Sequence, residues 1–178
     1  MYVSDPSDLP PAEFPIELDR KAFDELDRLG IKYITVTNDS ITTMKECPEI
    51  DEKLDVVVSK SIFVCNRQKT DYYLVIMPPD KRFNTKKFSQ LMHCSRVSFA
   101  SGEDMEDKLG VSPGSATVMC VLNDTSQKVR VVIDKDVADS EWFGCNTGSN
   151  TIHIKFKTRA LLDIFLPANR HDADIILL

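Results

Sequence analysis

Val56-Val57-Val58-Ser59-Lys60-Ser61-Ile62-Phe63-Val64 and, past the polar turn Asn66 to Thr70, Asp71-Tyr72-Tyr73-Leu74-Val75-Ile76-Met77 are the two most strand-like runs in the chain. Their β-branched and aromatic side chains suit a pleated, half-buried surface, and turn formers separate them, so together they predict a β-hairpin. Pro78 and Pro79 end the second strand, because proline has no N–H to contribute to a ladder. Downstream, Asn84 can cap a helix through Met92, and Arg96 to Ala100 reads as a strand. Ser101 and Asp104 have capping-box spacing for a helix closed by Gly110. After the turn-rich loop to Ser115 comes an apolar stretch to Leu122, then strands at Lys128 to Asp134 and Thr151 to Phe156. A last helix is expected over Thr158 to Leu166, with Leu161, Leu162 and Phe165 facing inward.

Upstream of the hairpin, Leu18, Ala22, Phe23, Leu26 and Leu29 recur at helical spacing, and Gly30 stands where a helix-ending glycine belongs. Tyr33 to Thr37 alternates as a strand, and Asn38-Asp39-Ser40 turns into a brief helical piece that Pro48 is expected to end. Prolines 6, 10, 11 and 15 among acids predict an extended arm outside the core. Strands and helices mix without a regular β-α-β repeat, so the class is α+β or irregular α/β.

At 178 residues the chain is long enough for one domain with a full core. An apolar share of 42 % with 28 % charged residues belongs to a globular protein and excludes a disordered or low-complexity scaffold. No apolar run approaches the roughly 20 residues a bilayer core demands, and the acidic, proline-rich start is not a secretory signal. The net charge of −6 speaks against a wide cationic surface wrapped on nucleic acid, yet Arg67 to Arg96 carries seven bases against two acids, enough for one basic patch. Cysteines 47, 65, 94, 120 and 145 form an odd, scattered set with no C-x-x-C pair, which supports neither a disulfide framework nor a zinc ribbon and fits a reducing compartment. Three histidines are too few for a histidine-rich metal centre.

Three features could carry chemistry. Lys60 interrupts a strand otherwise written for burial: its stem can snorkel to solvent, or its ammonium can serve as a fixed cation for a phosphate, carboxylate or carbonyl oxygen. The loop Gly110 to Ser115 can be an ordinary helix-ending loop or a backbone nest for an oxyanion; it is neither a P-loop nor a dinucleotide fingerprint. Phe143 to Thr151 interleaves polar amides with Gly144 and Gly148, which suits Asx turns or a ligand pocket. Cys145 beside Asn146 raises a thiol-dependent hydrolase, although no histidine lies near in sequence to act as its base, and His93-Cys94 reads as packing or surface.

Taken in order, these segments resemble the prolyl-tRNA editing proteins, the free-standing ProX/YbaK-like aminoacyl-tRNA deacylases related to the editing insertion of bacterial prolyl-tRNA synthetase. The resemblance runs from about Glu17 to Leu166. It is carried by Leu26-Asp27-Arg28-Leu29-Gly30-Ile31-Lys32-Tyr33, Ser59-Lys60-Ser61-Ile62-Phe63-Val64, Tyr73-Leu74-Val75-Ile76 and Asp80-Lys81-Arg82. Most specific are Arg96-Val97-Ser98-Phe99-Ala100-Ser101 and Leu109-Gly110-Val111-Ser112-Pro113-Gly114-Ser115. Leu122-Asn123-Asp124, Val132-Ile133-Asp134-Lys135-Asp136 and Asn150-Thr151 complete it.

The resemblance implies a mixed sheet or partial barrel with helices packed around it. It divides the chain into an arm at 1–16, an editing domain at 17–166 and a C-terminal tail at 167–178. It also implies hydrolysis in trans of an amino acid wrongly esterified to tRNA, with alanyl-tRNA(Pro) or another small amino acid as substrate. Lys60 aligns with the family's active-site lysine, and Gly114 opens the loop whose backbone, with Ser115, touches the terminal adenosine. Asn38 and Asn146 fall on substrate-binding positions where relatives often carry histidine. No cofactor and no metal is implied. The partners are the acceptor end of mischarged tRNA and prolyl-tRNA synthetase, with no membrane and no DNA, and the location is the cytoplasm. Ser61 in place of the family's asparagine, Val118 in place of the loop proline, and Asn146 depart from the pattern, so the amino acid stays open. They also motivate an alternative, a binding module that keeps the fold without turnover.

Overall fold

The computed structural model describes residues 2–40 and 48–178, and the helical piece expected just before Pro48 lies outside them. Among the described residues eight strands form two sheets rather than a closed barrel. The smaller, antiparallel sheet has the order β1 (Tyr33–Thr37), β7 (Ile152–Lys157), β6 (Trp142–Asn146). The larger runs β4 (Val97–Phe99), β2 (Lys60–Asn66), β3 (Tyr72–Met77), β5 (Val129–Asp134), β8 (Ala173–Ile176). The hairpin expected from sequence is the β2–β3 pair, antiparallel from Lys60↔Met77 to Cys65↔Tyr72. β5 and β8 then add in parallel, so the sheet is mixed.

Strand alternation sorts the apolar side chains onto two faces. Phe63, Leu74, Ile76 and Val131 face the main core, where α1 (Glu17–Arg28) buries Leu18, Ala22, Phe23 and Leu26. Val64, Val75 and Val132 face the other way, under Phe88 of α3 (Thr85–Leu91). α3 starts as expected, with Asn84 accepting the Lys87 N–H at 3.0 Å. α4 (Gly102–Leu109) opens on the Ser101–Asp104 capping box and ends at Gly110 in the left-handed region.

Local differences have local causes. α2 (Pro48–Leu54) begins at Pro48, since a first helical turn needs no N–H from its first residue. β2 starts at Lys60 and not at Val56, because Asp51 takes the N–H groups of Val56 and Val58 and holds the segment against α2. The apolar stretch before Leu122 is a 3₁₀ turn, Val118–Leu122, capped by Thr117. After β5 comes the short α5 (Lys135–Ala138), and the last helix, residues 158–168, is π-helical at Leu161–Phe165. The N-terminal arm is extended, but it lies on the free edge of β1, with Ser7 and Thr35 exchanging backbone hydrogen bonds of 2.9 and 2.8 Å. Phe14 then packs on Phe23. Within residues 167–178, β8 pairs with β5. Among the described residues no helix is long and apolar enough to cross a membrane.

Candidate active site

The two sheets meet at one parallel bridge, Val58↔Gly144, reinforced by Ser59 donating its N–H to the Gly144 carbonyl at 2.9 Å. A Cβ on Gly144 would sit 2.8 Å from Val56 Cγ1, so glycine is what lets the strands approach this closely. Because the bridge is parallel, Lys60 and Asn146, each two residues beyond it, leave the junction in the same direction.

Lys60 is half-buried at the first position of β2. Its Nζ donates to the Pro79 carbonyl at 3.1 Å and to the Lys81 carbonyl. An ammonium has three donors, so one remains for a ligand. Burial lowers the Lys60 pKa from the ordinary lysine range, with Asp80 opposing the shift. Among the described residues Lys60 forms no ion pair. The carbonyl loop that holds it is anchored in turn by Lys81, whose ammonium meets the buried Asp134 at 2.9 Å and Asp136 at 2.8 Å.

Asn146 ends β6. Its Oδ1 accepts the Gly148 N–H at 3.0 Å, and its carbonyl accepts the Thr117 hydroxyl at 2.7 Å, while Nδ2 has no partner among the described residues. The Thr117 bond ties Asn146 to the exit of the Gly114 loop. Gly114 is exposed with φ +91°, and nothing lies within 4 Å of where its Cβ would stand, so its backbone faces open space. The Ser115 N–H is already donated to the Ser112 carbonyl at 3.1 Å, so the loop offers the N–H of Gly114 rather than that of Ser115. No hydrogen bond joins Lys60 to Gly114, Ser115 or Asn146 among the described residues.

Asn38 stands across the β6–β7 turn. Its Nδ2 donates to the carbonyls of Asp39 and Asn150, at 2.8 and 2.9 Å, and its Oδ1 faces His153 Nδ1 at 2.9 Å. Both ends of the amide are thus committed within the fold, and the side chain shapes this end of the small sheet.

Residues 40–164, most of the chain, match the aminoacyl-tRNA editing domain family. The chain belongs to that family. This editing domain is 28 % identical over 128 residues to the prolyl-tRNA editing protein ProX of Acetoanaerobium sticklandii, a match covering 71 % of the chain and 77 % of that protein. It is 23 % identical over 123 residues to the prolyl-tRNA synthetase associated domain-containing protein 1 of Danio rerio, covering 69 % and 66 %. A crystal structure provisionally described as a trans-editing enzyme for prolyl tRNA synthetase superposes with TM-score 0.65 at 12 % identity, over 93 % of this chain and 99 % of that one. The α+β architecture of two sheets with surrounding helices is therefore that of an editing domain, and its activity is aminoacyl-tRNA deacylation.

In this editing domain Cys145 and Cys120 are not set up as nucleophiles. Cys145 is buried beside Cys120, and desolvation pushes both thiols up to about 12, far from the thiolate a nucleophile needs. Among the described residues no group of histidine, cysteine and carboxylate side chains could hold a metal ion.

Asp19 is a further organising residue, outside the features singled out from the sequence. Fully buried, it accepts the Thr147 hydroxyl at 2.5 Å and the Ser149 N–H at 2.9 Å on one oxygen, and the Ile16 N–H at 3.2 Å on the other. It clamps the turn after Asn146 onto α1. A signal was present: positions 19, 22, 23 and 26 form one helical stripe, and a carboxylate in an otherwise apolar stripe must have donors waiting for it.

Proposed function

We propose that this editing domain acts in trans on a small amino acid wrongly esterified to tRNA, with Ala-tRNA(Pro) the first candidate, and that Lys60, Gly114, Ser115 and Asn146 form its substrate site. The observation that carries this reading is the state of Lys60: a cation without an ion pair among the described residues, aimed by two carbonyls, with one N–H to give. In the reaction a water oxygen adds to the ester carbonyl, negative charge develops on the carbonyl oxygen, and the C–O bond to the terminal ribose breaks. The ribose oxygen takes one proton of the water and becomes a hydroxyl, the other proton goes to solvent, and the amino acid leaves as its carboxylate. Lys60 and the Gly114 N–H are suited to binding and polarising the carbonyl, where a preorganised donor acts most strongly on the transition state. Orientation of the water falls, in this reading, to the neighbouring ribose hydroxyl of the substrate, so the chemistry needs no Ser-His-Asp set.

Support for a prolyl-tRNA context comes from the names of the relatives and is a proposal for this chain, as are an encounter with prolyl-tRNA synthetase and a cytoplasmic location. Purified protein incubated with a panel of mischarged tRNAs is expected to release amino acid above the buffer rate, first from Ala-tRNA(Pro). Lys60→Ala is expected to lower that rate by about ten-fold or more, as expected when one charge-assisted hydrogen bond of about 1.5 to 3 kcal/mol is removed. Tight binding of aminoacyl-tRNA with no release from any member of the panel would identify a binding module instead.

A further inference from the structure

We propose that α3 and the edge strand β4 form the surface that grips the tRNA beyond its aminoacylated end, through phosphates and one stacked base. The inference rests on the editing function and adds where the RNA lies.

From Lys81 to Gly102 the chain contains no aspartate or glutamate, in a protein with 28 of them. Most cations elsewhere are neutralised: Arg20, Arg28, Lys53, Lys69, Arg130, Lys135 and Lys157 all sit in ion pairs. Arg82, Lys86, Lys87 and Arg96 are all exposed and form no ion pair among the described residues. Lys86 and Arg96 line a groove of about 550 Å³ with Gln90 and His93. An excess of positive charge held away from carboxylates, on a chain of net charge −6, is the footprint of a polyanion.

Phe99 narrows the polyanion to a nucleic acid. It is 64 % exposed on β4, braced edge-on by Phe83 at 6.0 Å, and so presents a face on which an unpaired base can stack. The other occupant an exposed edge strand invites, β4 of a second copy, is disfavoured because it would bring the two cationic faces together.

The surface is continuous with the proposed site. Lys60, Ile62 and Val64 share one face of β2 by alternation, and this is the face α3 covers. Val64 pairs with Phe99, so Lys60 lies four residues, about 13 Å, along the strand from the exposed ring. That distance suits an RNA strand that leaves its terminal ester at Lys60 and runs over β4 and α3.

The test is binding of uncharged tRNA, followed by fluorescence anisotropy across a salt series, which needs no hydrolysis. Lys86→Glu with Lys87→Glu, and separately Arg96→Glu, are expected to weaken binding at least ten-fold at low salt. Each should also flatten the dependence of log K on log salt by about one for every phosphate left without its cation. Lys32→Glu, the same charge change as Arg96→Glu at an exposed position between α1 and β1, is expected to change affinity less than two-fold. Phe99→Ala is expected to weaken binding about ten-fold with the salt slope unchanged. Binding like that of the unaltered protein in the α3 and β4 variants overturns the proposal, as does an equal loss in Lys32→Glu. Capture of the protein by anionic lipid vesicles, lost in the same variants while tRNA binding is kept, would overturn it too. If no mischarged tRNA is hydrolysed but these binding differences hold, the surface stands and the catalytic reading fails.

Discussion

The ammonium of Lys81 lies 2.9 and 3.0 Å from the two carboxylate oxygens of Asp134, a side chain with no exposure to solvent. Asp134 also accepts the N–H groups of Asp136 and Leu178, so one buried carboxylate gathers the 78–82 loop, the start of α5 and the end of the chain. The Lys81 carbonyl in turn accepts from Lys60. Removing the lysine side chain leaves a buried charge without its cation, and the cost of such a deletion outweighs what the intact pair contributes. Lys81→Ala is expected to lower unfolding free energy by about 3 kcal/mol in urea titrations. Lys81→Arg should recover most of it, and equal losses in both would show that the pair does not anchor the loop.

Asp19→Ala strips the Ser149 N–H, the Thr147 hydroxyl and the Ile16 N–H of their acceptor inside the protein. Each buried donor left unpaired costs about 1 to 3 kcal/mol, so a loss of about 3 kcal/mol or more is expected on denaturant unfolding. Because the clamped turn follows Asn146 directly, deacylation should fall as well. Full activity in a folded Asp19→Ala protein would separate the turn from the site.

His153 makes stability depend on pH. Burial lowers its pKa from 6.5 to about 4. Asn38 Nδ2 donates to two carbonyls, which leaves Oδ1 to accept the Nδ1 proton of a neutral ring. Between these two values the unfolded chain binds a proton that the folded protein refuses, so stability falls as pH drops from 6.5 and the loss levels off below about 4. The full span is on the order of 3 kcal/mol. Unfolding measured from pH 7 to 4 should show this slope in the unaltered protein and a smaller one in His153→Gln. Identical slopes would remove His153 as the source.

In the proposed site Asn146 is expected to set substrate choice. Its Nδ2 is the donor left over after Oδ1 has taken the Gly148 N–H, and an amide does not titrate near pH 6.5 as an imidazole does. A pocket of this kind separates side chains differing by one methylene by only about 1 to 3 kcal/mol. Asn146→His is therefore expected to reorder the rates among small aminoacyl substrates more than it lowers the best rate. An unchanged order, or equal loss on every substrate, would contradict this role.

What the sequence by itself determined is what short-range chemistry controls. The Asn84 cap, the Ser101–Asp104 box, the left-handed Gly110 and the β2–β3 hairpin depend on residues a few positions apart, and each was legible as a spacing. Ordered family motifs reached further and placed Lys60, Gly114 and Asn146 in one proposed site. Only the tertiary structure decided how these parts are held. β6 was hidden because Gly144 breaks its strand pattern, and that glycine is explained only by Val56 packed against it. The buried acid in the stripe 19, 22, 23 and 26 meets its donor only when Ser149 arrives from 130 positions away, and the Asn38 oxygen meets His153 from 115 positions away. Spacing along a chain encodes which residues a helix turn or hairpin brings together. It does not encode which buried donor will meet which buried acceptor once distant segments share a core, because that pairing is chosen by desolvation and packing of the whole fold.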